Sequence, residues 1–428
     1  MNYNETLEYI HCGFFGGTRP GLERVAELLG KLGNPQDKLR FIHVTGTNGK
    51  GSFCAMTDSV LRAAGYHTGL YTSPYIKKFN ERMMADGTPI SDDELAEIAT
   101  FVRPFAESME DKPTEFELIT AVAMLFFVRH KCDPVVLEVG MGGRLDATNI
   151  IRTPVLSVVT GIALDHMKIL GDTLGKIAAE KAGIFKKGVP VLWCGDSEEA
   201  DAVIREKAAE KGCGLYTPDR DPARQGLRVR EYSLDGTVFD AEGFTGVKIP
   251  LLGSYQPRNA QNALCGVTLL RYLGWNIPDE AVYRGLAAVQ WPARFEIICR
   301  EPLIIEDGGH NPEGIEAAVS SIRMYFPESV NILTGVLADK NYDMMAGMIA
   351  GVARKVFCLT PDNTRALSAE KYAEVYRGLG IEAEAYPDIP SAVAAAYAAG
   401  KRDNVPTVCL GSLYMYGDVT RALEAVKN

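Results

Sequence analysis

From residue 40 onward, short apolar runs rich in β-branched residues alternate with amphipathic stretches that are long enough to form helices. This alternation predicts a parallel sheet with helices on both faces. The predicted strands of the first part of the chain are Phe41–Thr45, Thr68–Thr72, Val135–Val139, Val155–Ile162 and Val189–Trp193. Because ligands of such sheets gather at the carboxyl ends of the strands, we expect the functional groups in the turns that follow them.

The pattern changes around residues 215–250, where turn signals separate short strand-like pieces. This region predicts a small antiparallel insert, and a helix is predicted after it over Asn259–Leu273. A second alternating series begins near Glu301, with strands expected in the runs PLIIED, NILTG, KVFCL and PTVCL. We therefore predict an α/β fold in two domains, residues 1–297 and residues 298–428.

Composition and charge limit the kinds of molecule that the protein is expected to bind. The chain has 428 residues, of which 46% are hydrophobic, and its formal net charge of −10 gives no general attraction to nucleic acids or anionic membranes. The sequence has no signal-peptide pattern and no run of ~20 apolar residues that would cross a membrane. We expect a cytoplasmic monomer. Nine cysteines are scattered singly without a CxxC pair, which argues against a zinc or redox site.

The segment FIHVTGTNGKGSF predicts a nucleotide-binding loop, because an apolar strand runs into a glycine-rich turn with a lysine and then into a helix. Backbone N–H groups of such a turn close around phosphate oxygens, and Lys50 reaches the β- and γ-phosphates. The segment departs from the pattern GxxxxGK[ST], since Val44 replaces the first glycine and Gly51 displaces Ser52 by one position. The alternative is an ordinary glycine-rich turn between a strand and a helix.

Three polar residues stand at or just beyond predicted strand ends, namely Ser73, Glu138 and His166. Magnesium prefers oxygen ligands and bridges substrate phosphates, so a carboxylate and a hydroxyl beside the loop predict a magnesium site. Glu138 ends an apolar strand, where a carboxylate is costly to bury unless it is paired or metal-bound. The local sequence around His166 is more typical of a hydrogen-bonded loop histidine than of a ligand.

Lys181 lies in GDTLGKIAAEKAGIFKKG, which predicts a helix with Asp172 or Thr173 as N-cap and Gly188 near its end. From the pattern alone, Lys181 is interpreted as an exposed helical lysine.

Six segments occur in order: GTNGKGS, SPYIKKFNERM, LEVGMGGRLDATN, DHMKILGDT with AAEKAGIFK, RFE and DGGHNP. Together they closely resemble the folylpolyglutamate synthase and dihydrofolate synthase family of the Mur ligase superfamily, and GSLYMYGDV is similar to the family's C-terminal segment. The resemblance covers nearly the whole chain. It implies an N-terminal P-loop ATPase domain that binds ATP and a smaller, Rossmann-like C-terminal glutamate ligase domain.

The resemblance also implies substrates and site residues. ATP, Mg²⁺, L-glutamate and a folate or dihydropteroate are the expected ligands. The implied ATP contacts are Thr47, Asn48, Gly49, Lys50, Gly51, Ser52, Asn259, Arg294 and Asp307, with His310 close by. The implied magnesium ligands are Ser73, Glu138, His166 and Lys181, with Lys181 carbamylated. Lys50, Glu138, His166 and Lys181 are the expected catalytic residues.

In the implied reaction, the γ-phosphoryl group of ATP passes to the substrate carboxylate. The glutamate amine then attacks the acyl phosphate and gives an amide, ADP and phosphate. Two positions differ from the family's usual residues. DGGHNP replaces DGAHNP, and Tyr75 stands where histidine is frequent in the segment that contacts the folate, which bears on the preference for the pterin substrate.

Two other functions are compatible with the phosphate loop. Cell-wall amino-acid ligases share a GTNGK-type loop but usually carry an additional N-terminal domain, and only 45 residues precede Gly46 here. A nucleotide-switched binding protein would need no amino-acid site. Phosphate release that depends on two cosubstrates would distinguish a ligase from the switch protein.

Overall fold

The computed structural model describes residues 1–11, 19–152, 154–218 and 226–427. The chain forms two compact units. Unit 1 comprises Met1–Arg228, Asp240–Val247 and Arg258–Val289, and unit 2 comprises Val229–Phe239, Lys248–Pro257 and Gln290–Asn428.

Unit 1 contains an eight-stranded sheet. Its strands are β1 Phe41–Thr45, β2 Gly69–Tyr71, β3 Met83–Ala85, β4 Thr88–Pro89, β5 Val135–Glu138, β6 Pro154–Val159, β7 Val191–Trp193 and β8 Leu215–Tyr216. The spatial order is β4-β3-β2-β5-β1-β6-β7-β8. The strands from β2 to β8 in this order run parallel, and β3 and β4 extend the sheet as antiparallel edge strands.

The described residues up to Ala287 form ten α-helices: α1 Tyr3–His11, α2 Glu23–Lys31, α3 Lys50–Ala63, α4 Asp92–Glu107, α5 Glu115–Arg129, α6 Met167–Leu170, α7 Leu174–Ala182, α8 Glu198–Glu210, α9 Gln256–Tyr272 and α10 Asp279–Ala287. Apolar side chains of α1, α2, α4 and α5 form one core with β1, β2 and β5. Those of α7 and α8 form another with β6 and β7. Three further strands, β9 Arg228–Ser233, β10 Gly236–Ala241 and β11 Phe244–Ile249, form a separate small sheet in the order β11-β10-β9.

Unit 2 contains a six-stranded sheet of β12 Glu296–Arg300, β13 Leu303–Glu306, β14 Val330–Thr334, β15 Ala353–Cys358, β16 Glu382–Ala385 and β17 Thr407–Leu410. The order is β12-β13-β17-β14-β15-β16, with β12 antiparallel and the others parallel. Its helices are α11 Pro312–Tyr325, α12 Tyr342–Ala350, α13 Ala369–Gly378, α14 Ile389–Asp403 and α15 Tyr416–Lys427. Helices α11 to α13 pack in one core, and α14 and α15 pack in another.

The predicted α/β class and all five predicted strands of the first series are confirmed; β1 has the predicted ends, and the other four strands differ at one or both ends. Strand β7 begins at Val191 and not at Val189, because Pro190 has no N–H to donate to a ladder. The helix with Lys181 ends at Ala182 and not near Gly188, and Thr173 is its N-cap. The carbonyl of Gly183, the residue after that helix, accepts a hydrogen bond from Asn149 Nδ2 at 3.1 Å.

The predicted helix over Asn259–Leu273 begins three residues earlier, at Gln256. The predicted domain boundary between residues 297 and 298 falls inside β12, whereas the last segment of unit 2 begins at Gln290. No described helix is long and apolar enough to cross a membrane.

Candidate active site

The phosphate loop predicted from the sequence lies between β1 and α3. All five residues of β1 are buried, and α3 begins directly at Lys50. The turn between them needs glycine at two places, because Gly46 has φ 152° and Gly49 has φ 83°. Gly51 and Ser52 belong to the first turn of the helix. The backbone N–H groups of this turn lie where a helix N-terminus attracts anions.

The loop is held against the turn that follows β6. Thr47 N donates to Gly161 O at 2.7 Å, and Thr160 Oγ1 donates to Asn48 O at 2.7 Å. A Cβ atom at Gly46 would lie 2.0 Å from Thr160 Oγ1, so a larger residue does not fit there. Thr160 was not predicted, since a threonine at a strand end has no local signal that sets it apart.

Two lysine side chains converge on one carbonyl oxygen of this loop. Lys50 Nζ donates to Gly46 O and to Thr47 O, each at 3.1 Å. Lys181 Nζ donates to Gly46 O at 2.8 Å. The side chain of Lys181 is only 3% exposed, so the interpretation as an exposed lysine is wrong. Its helix places it beneath the phosphate loop, on the face that packs into the core.

Burial and the neighbouring Lys50 lower the pKa of Lys181 to about 7. Desolvation penalises the ammonium form, and the second cation repels it. A substantial fraction of Lys181 is therefore a neutral amine at neutral pH, which is the nucleophilic form of lysine.

Ser73 and Glu138 lie together at the ends of neighbouring strands. Glu138 is the last residue of β5, pairs in register with Val44 of β1, and is 4% exposed. Its Oε2 accepts a hydrogen bond from Ser73 N at 3.2 Å. A buried carboxylate is therefore next to the phosphate loop with a serine beside it.

His166 is placed differently. Its side chain is 49% exposed, and its backbone has φ 50° at the start of α6. Ala163, three residues earlier, exchanges hydrogen bonds with Thr47 of the phosphate loop at 3.0 and 3.2 Å. Among the described residues, no group of three or more His, Cys, Asp and Glu side chains is arranged to hold a metal. The ligand role of His166 stays a prediction.

Asn259 reaches the phosphate loop from α9. A Cβ atom at Gly49 would lie 2.8 Å from Asn259 Oδ1, so the two residues are in close contact. Both belong to unit 1. This neighbour of the loop is more than 200 residues away in the sequence.

Asp307 is the most enclosed predicted residue of unit 2. It follows β13 and is 3% exposed. Its carboxylate accepts hydrogen bonds from Tyr255 OH at 2.5 Å, from Phe295 N at 3.0 Å and from Gly309 N at 2.8 Å. Burial raises the pKa of Asp307, and these donors oppose that rise. Tyr255 was not predicted.

Arg294 and His310 lie in the same region of unit 2. Arg294 Nη1 donates to its neighbour's carbonyl, Ala293 O, at 2.9 Å, and the same oxygen accepts from Gly308 N at 2.9 Å. His310 Nδ1 lies 3.0 Å from Gly308 O, which can only accept, so Nδ1 carries the proton in that contact.

The sheet of unit 2 has a topological switch point at this place. Strands β13 and β17 are adjacent, but β13 leads into α11 in one core and β17 leads into α15 in the other. The helices that follow them therefore pack in different cores, and such a point is the usual ligand position of an open α/β sheet. Gly411 N, after β17, donates to Gly309 O at 3.1 Å, which joins the two loops.

The chain is similar to known proteins over nearly its whole length. The sequence matches the Mur ligase middle domain over residues 44–270 and the Mur ligase glutamate ligase domain over residues 293–412. It is 38% identical to folylpolyglutamate synthase of Lacticaseibacillus casei, covering 100% of both chains. It is 34% identical to dihydrofolate synthase/folylpolyglutamate synthase of Bacillus subtilis, covering 99% of both chains.

The fold is similar to that of solved structures. One is a complex of folylpolyglutamate synthase with AMPPCP and folate, with a TM-score of 0.85, 35% identity and coverage of 99% of this chain and 100% of that chain. The phosphate loop, the ordered motifs and these full-length matches lead to one conclusion. The chain belongs to the folylpolyglutamate synthase and dihydrofolate synthase family.

Proposed function

We propose that this protein is an ATP-dependent ligase that joins L-glutamate to folates and accepts dihydropteroate as a second substrate. The observation that carries this proposal is the convergence of Lys50 and Lys181 on the phosphate loop, next to the Ser73–Glu138 pair. It occurs in a chain that matches folylpolyglutamate synthase along its full length.

The reaction needs activation, because a carboxylate and an amine do not condense at a useful rate at neutral pH. Transfer of the γ-phosphoryl group of ATP to the carboxylate supplies a leaving group for attack by the glutamate amine. The backbone N–H groups of the phosphate loop and Lys50 would hold and neutralise the phosphates during this transfer. Such a site acts mainly by positioning the reactants and stabilising charge.

The residues present fit a magnesium ion. Glu138 provides a buried carboxylate and Ser73 a hydroxyl beside it, and both are oxygen ligands of the kind that Mg²⁺ takes. Ser73, Glu138, His166 and a modified Lys181 would hold the ion, which would neutralise charge on the phosphoryl oxygens. In the structure, the ammonium of Lys181 cannot be a metal ligand.

Carbamylation would turn Lys181 into a ligand. Its neutral amine attacks CO₂, a C–N bond forms, and one proton leaves to solvent, which yields an anionic carbamate. The pKa of about 7 makes the amine available, and the adjacent Lys50 would stabilise the product charge. Intact-mass analysis at neutral pH should show one added CO₂ that is lost on acidification and absent from Lys181→Arg.

We infer that glutamate binds in unit 2, at the topological switch point between the loops after β13 and β17. The match of residues 293–412 to a glutamate ligase domain supports this position, and His310 lies in the first of the two loops. Asn259, Arg294 and Asp307 would contact ATP.

The experiment is phosphate release from Mg·ATP with glutamate and either tetrahydrofolate or dihydropteroate, each cosubstrate omitted in turn. We expect release that needs both cosubstrates, together with a glutamyl mass increment on the pterin. An equal rate of phosphate release with and without each pterin would refute the proposal and favour another amide ligase. Release that is slow without the pterin would further indicate that the acyl phosphate is protected from water.

A further inference from the structure

Tyr255 is a partly buried hydrogen-bond donor that the reaction scheme does not use. It lies in the segment Lys248–Pro257 of unit 2, and its hydroxyl donates to Asp307 Oδ2 at 2.5 Å. Burial and the negative charge of Asp307 raise the pKa of Tyr255, so the hydroxyl keeps its proton. A hydrogen bond to a carboxylate is stronger than one between neutral groups.

The three hydrogen-bond donors to Asp307 are distributed unequally over its two carboxylate oxygens. Oδ2 accepts from both Tyr255 OH and Phe295 N, whereas Oδ1 accepts from Gly309 N. A carboxylate oxygen has two lone pairs, so Oδ1 keeps capacity for a further donor. The two donors on Oδ2 fix the plane of the carboxylate and hence the direction in which Oδ1 points.

Oδ2 of Asp307 also holds a strained turn. Ala293 and Phe295, on either side of Arg294, have φ values of 54° and 50°, which non-glycine residues rarely adopt. Phe295 N in that turn bonds to Asp307 Oδ2. Strained residues of this kind persist where the surroundings hold them, often at ligand sites. Tyr255 therefore shares its acceptor with the turn that presents Arg294.

The two residues before Tyr255 are hydrogen-bonded to helix α11. Ser254 donates from N to Ser321 Oγ at 2.9 Å, and Gly253 N donates to Tyr325 OH at 3.4 Å. Both acceptors lie on α11, the helix that begins directly after the loop with Asp307. The donor and the loop it orients are thus attached to the same helix.

We propose that Tyr255 is a positioning residue for ATP, which acts by orienting the carboxylate of Asp307 and, through the shared oxygen, the turn with Arg294. The inference rests on the proposed function in one respect, that Asp307 contacts the nucleotide. Tyr255 itself does not touch the substrates.

The test is Tyr255→Phe, which removes the hydroxyl and keeps the ring. We expect the Kd for AMPPCP, measured by calorimetry, and the KM for ATP to rise about tenfold, which corresponds to the loss of one hydrogen bond to a charged group. The kcat and the KM for glutamate should change little. Equal rises in both KM values, or an unchanged Kd for AMPPCP, would overturn the proposal.

A double-mutant cycle with Asp307→Asn tests whether Tyr255 acts through Asp307. The effect of Tyr255→Phe on AMPPCP affinity should be much smaller in the Asp307→Asn background than in the wild type, since the charged acceptor is then absent. Effects that simply multiply would contradict the proposed route.

Tyr376→Phe is the matched control. Tyr376 is a buried tyrosine of unit 2 whose hydroxyl donates to Tyr372 OH at 3.3 Å, and its loss should leave AMPPCP affinity unchanged. If Tyr255→Phe does not fold, Tyr255→His takes its place. Imidazole is shorter than phenol and does not reach Asp307 Oδ2, so AMPPCP should again bind about tenfold more weakly. An unchanged Kd for AMPPCP, or equal rises in the KM for all substrates, overturns the inference. Because AMPPCP binding needs no pterin, a wild type that binds AMPPCP without ligating folate would refute the proposed function and leave this test valid.

Discussion

At the scale of single residues, the carbonyl oxygen of Gly46 accepts from Lys50 and from Lys181. Lys50 is the cation that we expect at the phosphates of a bound nucleotide. We predict that Lys50→Ala lowers kcat/KM for ligation by about a hundredfold or more, because a charge that stabilises the transferring phosphoryl group is lost. Phosphate release, measured over a range of ATP concentrations with the pterin and glutamate saturating, gives this kcat/KM.

Lys176→Ala is the control for that substitution. Lys176 lies on α7, as Lys181 does, but it is exposed and pairs with Asp172 at 2.8 Å. Its loss should leave the rate unchanged. Ligation by Lys50→Ala within a few fold of the wild type would refute the assigned role of Lys50.

His43 gives a prediction about acid stability. It is fully buried on β1, its Nε2 lies 2.9 Å from Thr148 Oγ1, and burial lowers its pKa to about 3. The unfolded chain binds a proton at His43 near pH 6.5, whereas the folded protein does so only near pH 3, so stability falls as the pH drops below 6.5. By pH 5 this contribution amounts to roughly 2 kcal/mol.

His43→Gln cannot titrate and should therefore lose less stability between pH 7 and pH 5 than the wild type. Urea unfolding at several pH values measures the free energy of unfolding of both proteins. Parallel pH curves would show that the pKa of His43 in the folded state is close to its ordinary value.

At the scale of elements, the start of α3 depends on Gly49. Gly49 (φ 83°) and Gly33 (φ 78°) have nearly the same backbone conformation. A Cβ atom at Gly33 meets nothing within 4 Å, whereas one at Gly49 lies 2.8 Å from Asn259 Oδ1. Alanine variants of the two glycines therefore distinguish the effect of backbone strain from the effect of a steric contact with Asn259.

We predict that Gly33→Ala lowers the free energy of unfolding by about 1 kcal/mol and leaves AMPPCP affinity unchanged. Gly49→Ala should lose at least as much stability and also bind AMPPCP about tenfold more weakly or worse, because it displaces Asn259. Thermal unfolding and calorimetry measure the two effects. Equal AMPPCP affinity in the two variants would show that Asn259 is not an ATP contact.

A buried ion pair joins α2 to α5. Arg24 Nη2 lies 2.9 Å from Glu117 Oε1, and both side chains are less than a tenth exposed. Glu117 also closes the capping box of α5 with Thr114. Replacing Glu117 by glutamine would remove the buried counter-charge of Arg24 and leave only the exposed Asp111, whose Oδ2 lies 3.6 Å from Arg24 Nη1.

Glu117→Gln should therefore lower the free energy of unfolding by about 3 kcal/mol or more. The exposed pair of Glu97 with Arg129 is the control, and Glu97→Gln should change the free energy of unfolding far less than Glu117→Gln does, because water screens an exposed pair. Chemical denaturation compares both variants with the wild type. A similar loss of unfolding free energy in both variants would mean that burial does not make the Arg24–Glu117 pair more important for stability than the exposed pair.

At the scale of the whole molecule, the acidic charge bears on assembly. A net charge of −10 makes copies of the chain repel one another. We predict a monomer of 46.6 kDa, with and without AMPPCP. Light scattering coupled to gel filtration measures the mass, and a dimer mass at micromolar concentration would contradict the prediction.

Much of the first sheet and the place of the phosphate loop were predictable from the sequence. Strand β1 is a continuous apolar run, and the glycines after it can only form a tight turn, so short-range patterns suffice. The ends of the strands were less predictable, as β6 shows, because the end of a strand depends on how far its neighbours continue the ladder. The roles of Ser73, Glu138, His166 and Lys181 as ligands stay predictions.

The sequence by itself determined the strand, glycine turn and helix of the phosphate loop, since these follow from the order of apolar, glycine and polar residues. Only the tertiary structure decided that Lys181 is buried against Gly46, 135 residues away, and that Tyr255 bonds to Asp307 across 52 residues. The physical reason is that burial and the pKa of a side chain depend on neighbours brought together by folding. No local pattern around Lys181 or Tyr255 contains those neighbours.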